Sequence, residues 1–399
     1  MQGREEPLYI GLDVGSTTVK AVVLDADRRI VWKDYRRHNA RQMEFVLAFL
    51  KEIEAAFSGR RFRVFTTGNG GRSVSALIGA VHVQEVNAVT VAVERLHPRA
   101  GSVVELGGQD AKVIIWKSDQ QGNRSCISYM NDKCAGGTGA TLDKIFSRVG
   151  LSEDALRDIR TAGKTVHQVA AKCGVFAETD VVGLLKAGVP ADEIAVSICT
   201  AVVKQNIEVL LHGNALPDDV LLLGGPHTYI GMFADIWRAQ LLQIWQLHRH
   251  TPRPKPLNQL VYVPKDAQYF AAMGAVFFGL EASIESASEY PGTVALEAFL
   301  HRDRRARMSL RENVLPGLVS SDEERDAFVA RYSPGPFVAP IFPRKEAIPC
   351  WLGIDGGSTS SKLAVLDENG DLIYRDYILS SGNPIVDVRF MFEAMRAYE

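Results

Sequence analysis

Short apolar runs separated by glycine-rich turns dominate the start of the chain. Residues 8–14 and 18–25 are two β-rich runs joined by a Gly/Ser/Thr turn, and a third run follows at residues 30–35 after another turn. This pattern predicts three consecutive strands joined as hairpins. A P-loop or a dinucleotide-binding fingerprint needs its glycines between a strand and a helix, so the second strand excludes both.

Helical and strand-like patterns alternate through the next part of the chain. Apolar positions at helical spacing predict helices over residues 39–57, 86–96, 194–211, 229–247 and 267–280. Compact β-rich runs predict strands over residues 63–67, 101–106, 113–116, 219–223 and 260–264. A further helix is expected to open at the glycine-rich residues 135–139, because Leu142, Ile145 and Phe146 follow at helical spacing.

The first hairpin is repeated near the end of the chain. Residues 350–377 match the first unit at a constant offset of 342 residues, so that Asp355 corresponds to Asp13 and Lys362 to Lys20. Such a register indicates an internal repeat. We therefore expect a complete domain over residues 1–283, a charged and proline-rich connector over 284–349, and the truncated start of a second copy over 350–399.

The composition of the chain argues against several classes of protein. With 45 basic and 47 acidic residues the formal net charge is −2, which gives no reason to expect a nucleic-acid surface or an anionic membrane as partner. No signal peptide opens the chain and no apolar run reaches the roughly 20 residues of a membrane span, so we expect a cytoplasmic protein. The five cysteines are odd in number and widely spaced, which is not typical of a disulfide framework.

The first turn carries the chemistry of a phosphate-binding loop. Backbone N–H groups and hydroxyls of a hairpin turn can wrap a phosphate, and Asp13 at the strand end is placed to hold a metal-bound water. The residues that we assign to nucleotide binding in this unit are Gly15, Ser16, Thr17, Thr18 and Lys20.

A second glycine turn, Gly107-Gly108, lies between the predicted strands 101–106 and 113–116. A nucleoside triphosphate held between two such hairpins would have its phosphates clamped from both sides. The side chains available there to orient water or magnesium are Glu105, Gln109 and Asp110. The pattern leaves open which carboxylate does so.

Two later glycine positions are also candidates for nucleotide contact. Gly224 and Gly225 end the strand 219–223, and the missing side chains would let a flat base or a ribose lie on the backbone. Gly274 lies on a small-residue face of the last predicted helix. For Gly274 close helix packing and nucleotide contact both stay open.

Two cysteines stand in distinctive contexts. Cys134, within Asn131-Asp132-Lys133-Cys134-Ala135-Gly136-Gly137-Thr138-Gly139, precedes a helix whose unpaired N–H groups and positive dipole end stabilise a thiolate or a bound anion. Taken alone, a buried and inert cysteine is the commoner case. Cys173 opens the stretch Cys-Gly-Val-Phe-Ala-Glu-Thr-Asp. Cys126 and Cys199 are interpreted as packing residues.

The hairpin loops that begin Asp-x-Gly-Ser-Thr and Gly-Gly-Gln-Asp, with the strand that ends in Gly-Gly, resemble the actin, hexokinase and Hsp70 type of ATPase fold. The resemblance implies an α/β fold of two ribonuclease H-like subdomains with mixed sheets. Within that fold, residues 8–280 resemble the activator ATPases of 2-hydroxyacyl-CoA dehydratases and the ATPase subunits of benzoyl-CoA reductases, and the resemblance resumes at residue 350. The Cys134 and Cys173 motifs are its most specific part.

The resemblance implies an ATPase that uses ATP/ADP and Mg²⁺, with Cys134 and Cys173 as ligands of a [4Fe–4S] cluster. Four thiolates are usual and the domain offers two, so the cluster is expected to be shared in a homodimer or with the second copy. A ferredoxin or flavodoxin-like donor would supply the electron. An iron–sulfur acceptor, a dehydratase or reductase component such as a double-cubane-cluster-type reductase, would receive it after an ATP-driven domain movement.

Two departures from the family pattern affect these expectations. Glu105 stands where the shorter activators usually have Asp, and Pro226-His227 follows Gly225 where they have a different turn. Two other functions also stay open: a small-molecule kinase of the same fold, and a nucleotide-sensing regulatory module of a longer chain. The kinase would leave the contexts of Cys134 and Cys173 unexplained.

Overall fold

The computed structural model describes residues 6–119, 121–131, 138–170, 173–211, 213–214, 216–282, 289–302, 318–333, 335, 337–338, 340, 347–357, 359–380 and 384–397. The chain divides into two compact units, Met1–Glu312 and Asn313–Glu399. Each unit is described by itself below.

The first sheet of the first unit has the strand order β3-β2-β1-β4-β5. Its strands are β1 (Leu8–Val14), β2 (Thr18–Leu24), β3 (Ile30–Arg37), β4 (Phe62–Thr67) and β5 (Val81–His82). The first three strands are antiparallel, and β4 joins β1 in parallel. The predicted succession of three hairpin strands is therefore confirmed.

The second sheet has the order β10-β9-β6-β7-β8, which is the same arrangement with new strands. Its strands are β6 (Ser102–Leu106), β7 (Ala111–Ser118), β8 (Arg124–Asn131), β9 (Val220–Leu223) and β10 (Val261–Tyr262). Again three strands are antiparallel and the later two are parallel to the first. Both sheets are thus mixed and follow one topology, so the prediction of two ribonuclease H-like subdomains is confirmed.

Helices connect and cover these sheets. Those of the first unit are α1 (Gln42–Ala56), α2 (Gly71–Ser75), α3 (Glu85–Leu96), α4 (Gly139–Val149), α5 (Glu153–Asp158), α6 (Gly174–Lys186), α7 (Ala191–Leu210), α8 (Gly225–Tyr229), α9 (Met232–Leu247), α10 (Leu257–Leu260), α11 (Phe270–Glu281) and α12 (residues 294–302). A 3₁₀ turn, Ala267–Tyr269, leads into α11. Among the described residues, no helix is long and apolar enough to cross a membrane.

The sequence patterns missed or merged several elements. The helix expected over 229–247 begins only at Met232, because Ile230 is extended and Tyr229 is the last residue of the separate short helix α8. The strand expected over 260–264 is reduced to β10 and preceded by the short α10. The helix α6 was not predicted at all.

The core of the first unit lies on both faces of the two sheets. Helix α11 packs between them and is buried around almost its whole circumference, since nine of its residues are inaccessible. Trp237 and Trp245 of α9 fill the core beyond the second sheet. Leu296 of α12 is also fully buried and joins the core around β1, so side chains beyond the predicted boundary at residue 283 pack with this unit.

The second unit contains one small antiparallel sheet and two helices in its described part. The sheet has the order β11-β12-β13, formed by β11 (Trp351–Gly356), β12 (Ser360–Leu366) and β13 (Leu372–Leu379). Helix α14 (Pro384–Arg396) packs on it through Met391, which is fully buried. Helix α13 (Asp322–Tyr332) has no buried residue.

Candidate functional site

The two glycine hairpin turns of the first unit touch each other. Thr17, in the β1–β2 turn, lies so close to Gly108, in the β6–β7 turn, that a Cβ on the glycine would fall 2.1 Å from the Thr17 Oγ1. A side chain at residue 108 would therefore force the turns apart. The two predicted phosphate loops face each other as a pair.

A cavity of about 340 Å³ opens beside this contact. Its polar wall comes from the predicted residues Thr17, Thr18, Lys20, Gly107 and Gly108. Its apolar wall comes from helices α4, α5 and α8 and the segments next to them, with the side chains Phe146, Leu151, Leu156, Pro226 and Ile230. Gly225 lines the cavity as well, whereas Gly15, Ser16, Gly224 and Gly274 do not.

Gly15 does not line the cavity, but its backbone groups help to fix the conformation of the β1–β2 turn. Its N–H donates to the Thr18 carbonyl at 3.0 Å. Its own carbonyl accepts hydrogen bonds from His38 Nε2 at 3.1 Å and from Gln42 Nε2 at 2.8 Å. The conformation of the turn is thus held by His38, directly after β3, and by Gln42, the first residue of α1. Ser16 lies at the half-buried tip of the turn.

A buried group of charges lies next to the loops. Lys112 Nζ is within 2.7 Å of Glu85 Oε1, 2.8 Å of Asp110 Oδ2 and 3.4 Å of Glu105 Oε2, and its side chain is only 1% exposed. Beside it, Lys20 Nζ contacts Asp13 Oδ2 at 2.6 Å. Lys20 also lines the cavity, so this charged cluster and the cavity are continuous.

The charges in this cluster do not balance. Burial raises the pKa of Glu85 to about 7, against the opposing effect of the Lys112 ammonium. Burial likewise raises the pKa of Glu105. For Lys112, the surrounding carboxylates outweigh burial and hold its pKa well above the ordinary value. Four carboxylates face two ammonium groups, so the fully ionised cluster has a surplus of negative charge.

The remaining predicted site residues are more scattered. Gln109 is exposed, and its side chain does not line the cavity. Gly224 has φ +94°, a left-handed conformation that favours glycine, and it turns the chain from β9 into α8. Gly274 lies where α11 crosses α3, and a Cβ there would fall 1.8 Å from the Ala88 carbonyl oxygen. Close helix packing accounts for Gly274 without a nucleotide.

The start of helix α4 is bound to the second loop. Gly139 N–H donates to the Gly107 carbonyl at 2.9 Å, and Ala140 N–H donates to the Gly108 carbonyl at 2.8 Å. These are N–H groups of the first helical turn, which have no partner within the helix. The loop and the helix therefore share a rigid connection.

Cys173 lies at the start of helix α6, directly before Gly174. Backbone N–H groups of Phe176 and Val175 hydrogen-bond to its sulfur and lower the pKa of the thiol. Helix α6 lies along α4, because Glu178 binds Lys144 at 2.6 Å and Arg148 at 2.9 Å. Cys134, the other predicted ligand, lies outside the described residues.

The other cysteines differ from Cys173. Cys199 is fully buried in α7, as expected for a packing residue, and burial raises the pKa of its thiol. Cys126 is exposed on β8, so its interpretation as a packing residue was wrong, because β8 is the edge strand and most of its residues face solvent. Within the described ranges, no three His, Cys, Asp or Glu side chains are grouped to hold a metal ion.

Several residues at the site were missed from the sequence. Glu85 opens an amphipathic helix, where an acidic residue is common for reasons of helix capping alone. Lys112 had a usable signal, since it is a charged residue inside the apolar run of β7. Arg37 of β3 reaches across the cavity to Asp143 of α4 and, at 2.9 Å, to Glu153 of α5. Arg37 is far from Asp143 and Glu153 in the sequence, and only the tertiary fold brings it into contact with them.

Two sheets of one topology, with a hairpin loop from each meeting at a cavity, define the actin, hexokinase and Hsp70 class of ATPase fold. The chain belongs to the BadF/BadG/BcrA/BcrD ATPase family, whose sequence profile matches residues 10–279. It is accordingly an ATPase, as the resemblance implied.

Named relatives agree with this assignment. The 2-hydroxyisocaproyl-CoA dehydratase activator of Clostridioides difficile is 27% identical over 282 residues, which cover 70% of this chain and 97% of the activator. The (R)-2-hydroxyglutaryl-CoA dehydratase activating ATPase of Acidaminococcus fermentans is 27% identical over 270 residues, covering 67% and 95%. The solved activator from Clostridium difficile with bound ADPNP superposes with a TM-score of 0.57 at 25% identity, covering 70% and 96%.

Proposed function

We propose that the protein is an ATP-hydrolysing iron–sulfur electron donor, in which ATP binding drives low-potential electron transfer to a partner enzyme. The observation that carries this proposal is the pair of hydrogen bonds from Gly139 and Ala140 of α4 to the carbonyls of Gly107 and Gly108. They connect a phosphate loop directly to the helix that follows the Cys134 motif. A displacement of the loop must therefore displace that helix.

The cavity fits a nucleoside triphosphate. Its polar wall offers hydroxyls, glycine N–H groups and the Lys20 ammonium to phosphates, and its apolar wall suits a flat base. A phosphate chain held between the turns of Thr17 and Gly108 would contact both subdomains. Closure of the two loops on the γ-phosphate is then the event that moves α4.

The charged cluster fits a nucleotide-bound Mg²⁺. Magnesium usually keeps several waters and takes few protein ligands beside the phosphates. Asp13, at the end of β1, would hold one of those waters. The surplus of negative charge in the cluster favours a divalent cation nearby.

Cys173 fits a cluster ligand. Its sulfur accepts two backbone N–H groups at a helix start, which stabilises the thiolate that iron requires. Gly174 lies against Thr141, whose side chain would be 3.2 Å from an added Cβ, so α6 and α4 begin side by side. With Cys134 as the second thiolate of each domain, two domains would supply the four ligands of a shared [4Fe–4S] cluster. Such a cluster supplies one-electron transfer at low potential.

The partners follow from this chemistry. We infer that the electron comes from a ferredoxin or flavodoxin-like protein and passes to an iron–sulfur enzyme of the dehydratase or reductase type. The relatives named as dehydratase activators, and a benzoyl-CoA reductase subunit from Thauera aromatica that is 24% identical, support that choice of acceptor. The chain would act as a homodimer, or as a pair of domains within a longer protein.

The test is anaerobic purification with iron, sulfide and ATPase assays on the wild type, Cys134→Ala and Cys173→Ala. We expect both variants to lose cluster iron and to keep nucleotide binding, and for Cys173 this agrees with a position outside the lining of the cavity. Cys199→Ala is the matched control and should keep its iron, because its side chain is sealed in the core.

Three results would contradict the proposal. They are a wild type that binds no iron under reductant, cysteine variants with the full cluster spectrum, and cluster loading confined to monomers of a single domain. Phosphate transfer from ATP to a sugar or carboxylate would favour a kinase instead. Nucleotide binding with neither iron nor turnover would favour a regulatory module.

A further inference from the structure

Strand β3 presents its two faces to different subdomains. Successive side chains of a strand point to opposite sides. On one side, Arg36 holds both carboxylate oxygens of Glu52, at 2.8 and 2.7 Å, and lies over the Phe49 ring of α1, in the subdomain of the first sheet. The side chains that point the other way, toward the subdomain of the second sheet, are Lys33, Tyr35 and Arg37.

Lys33 and Tyr35 join β3 to segments that follow the parallel strands of the second sheet. Lys33 binds Asp266, which comes after β10. Tyr35 packs against Tyr229 of α8, with the ring centres 5.1 Å apart, and it lines the cavity. These contacts hold β3 against the second subdomain and bring its last residue, Arg37, to the cavity.

Arg37 makes the most extensive of the three contacts. Its Nη1 and Nη2 donate to the two carboxylate oxygens of Asp143 on α4, with Nη2 3.0 Å from Oδ1. Its Nε donates to Oε1 of Glu153, the first residue of α5, at 2.9 Å. All three side chains line the cavity. A guanidinium that holds both oxygens of a carboxylate fixes the distance and the orientation of the two groups.

We propose that Arg37 is a positioning residue whose bridge to Asp143 and Glu153 latches the two subdomains across the cavity and slows the release of bound nucleotide. Arg37 belongs to one subdomain and both carboxylates belong to the other, so the bridge has to break when the subdomains separate. Asp143 is on α4, so the latch also connects this separation to the helix that follows the Cys134 motif. The inference rests on the proposed binding of nucleotide in the cavity and requires no iron.

The charges of the latch make it sensitive to salt. A guanidinium stays protonated at any working pH, and hydrogen bonding to Asp143 raises the pKa of Arg37 further, although burial opposes the change. The side chains are 42% exposed for Arg37, 40% for Asp143 and 61% for Glu153, so dissolved ions can screen the bridge. The strength of the latch should therefore depend on ionic strength.

The experiment measures, by stopped flow, how fast a fluorescent ADP analogue dissociates from the full chain. For Arg37→Ala we expect release to be about five- to tenfold faster than for the wild type, with Arg37→Lys in between because an ammonium cannot hold both oxygens in the same way. The double variant Asp143→Ala with Glu153→Ala should match Arg37→Ala, and the triple variant should be no faster. Arg36→Ala is the matched control, since it removes a two-oxygen ion pair within one subdomain, and should stay within about twofold of the wild type.

Salt gives a second readout. Raising the ionic strength from about 0.05 to 0.5 M should speed release from the wild type more than from Arg37→Ala, so that the two rates converge. Equal release from the wild type and Arg37→Ala would overturn the latch, and so would a carboxylate double variant that releases the analogue at the wild-type rate, because the guanidinium would then act on the nucleotide directly. A wild type that does not bind the analogue would contradict the proposed nucleotide site and this inference with it. Absence of iron would contradict the electron-donor proposal alone.

Discussion

Two hairpin units of this chain have the same local structure and different surroundings. The first hairpin unit is β1–β2–β3–α1, Leu8 to Ala56, and the second hairpin unit is β11–β12–β13–α14, Trp351 to Arg396. In both, the aspartate at the end of the first strand pairs with a lysine, Asp13 with Lys20 and Asp355 with Lys362. Both also have a register shift at the same position of the second strand pair.

The two hairpin units differ in how far their strands and charged side chains are buried. All but one of the residues of β1 are buried, because β4 pairs with its free edge and α11 covers it, whereas all six residues of β11 are exposed. The Asp13 and Lys20 side chains are 3% and 13% exposed, compared with 66% and 44% for Asp355 and Lys362. A phosphate-loop sequence therefore specifies the hairpin, and the packing around it decides whether its charges are buried in a site.

The largest effect that this comparison predicts is a change in the free energy of unfolding. Ile10→Ala should lower the free energy of unfolding by about 2–5 kcal/mol, because it empties a fully buried position in β1. Leu352→Ala, at the corresponding position of β11, should change it by less than about 1 kcal/mol, because Leu352 is 43% exposed. Urea denaturation measures both. Equal losses would mean that β11 is as well packed as β1.

The next effect concerns catalysis. Asp13→Asn should reduce kcat for ATP hydrolysis by roughly 10²–10³-fold, since it removes a buried charge that positions Lys20 and the reacting groups. Asp355→Asn makes the same change in the second hairpin unit and should leave the rate within about twofold. Steady-state phosphate release tests both variants. A comparable loss in Asp355→Asn would show that the second unit contributes to hydrolysis in this chain.

A smaller effect is expected from the residues that hold the first loop. His38 and Gln42 both donate to the Gly15 carbonyl, and the corresponding residues of the second unit are Ser380 and Pro384. Each hydrogen bond contributes about 1 kcal/mol, so the loss of both in His38→Ser with Gln42→Ala should weaken ADP binding by up to roughly 30-fold. Calorimetry gives the Kd, with the exposed Gln243→Ala as control. An unchanged Kd would mean that the turn holds its shape without these donors.

Much of the fold was predictable because its signals are local. The hairpin strands, the paired glycine turns and the six helices α1, α3, α4, α7, α9 and α11 follow from apolar spacing and turn residues within short stretches. Helix α6 was missed because its apolar residues show little helical periodicity, and Val175 and Phe176 are exposed at its start. The two hairpin units share their strand registers, and a second copy of the whole domain stays a prediction from the sequence repeat.

The site was less predictable because its charges come from distant parts of the chain. Asp13, Glu105 and Asp110 were identified from motifs, yet the lysine that binds two of them gave only a weak signal in β7. Glu85 and Arg37 acquire their roles from tertiary contacts alone. Gly274 is the opposite case. The sequence left nucleotide contact open for this small residue, and the close crossing of α11 and α3 explains it without a nucleotide.

The central claim is that nucleotide binding at the first hairpin unit acts on the helices that carry the cysteines. The most direct measurement is the alkylation rate of Cys173 in the cluster-free protein with and without a non-hydrolysable ATP analogue, resolved by mass spectrometry. The exposed Cys350 and the buried Cys199 serve as internal references. We predict that the analogue changes the Cys173 rate by about fivefold or more and leaves Cys350 unchanged. A Cys173 rate that is the same at saturating analogue, with binding confirmed by calorimetry, would contradict the account.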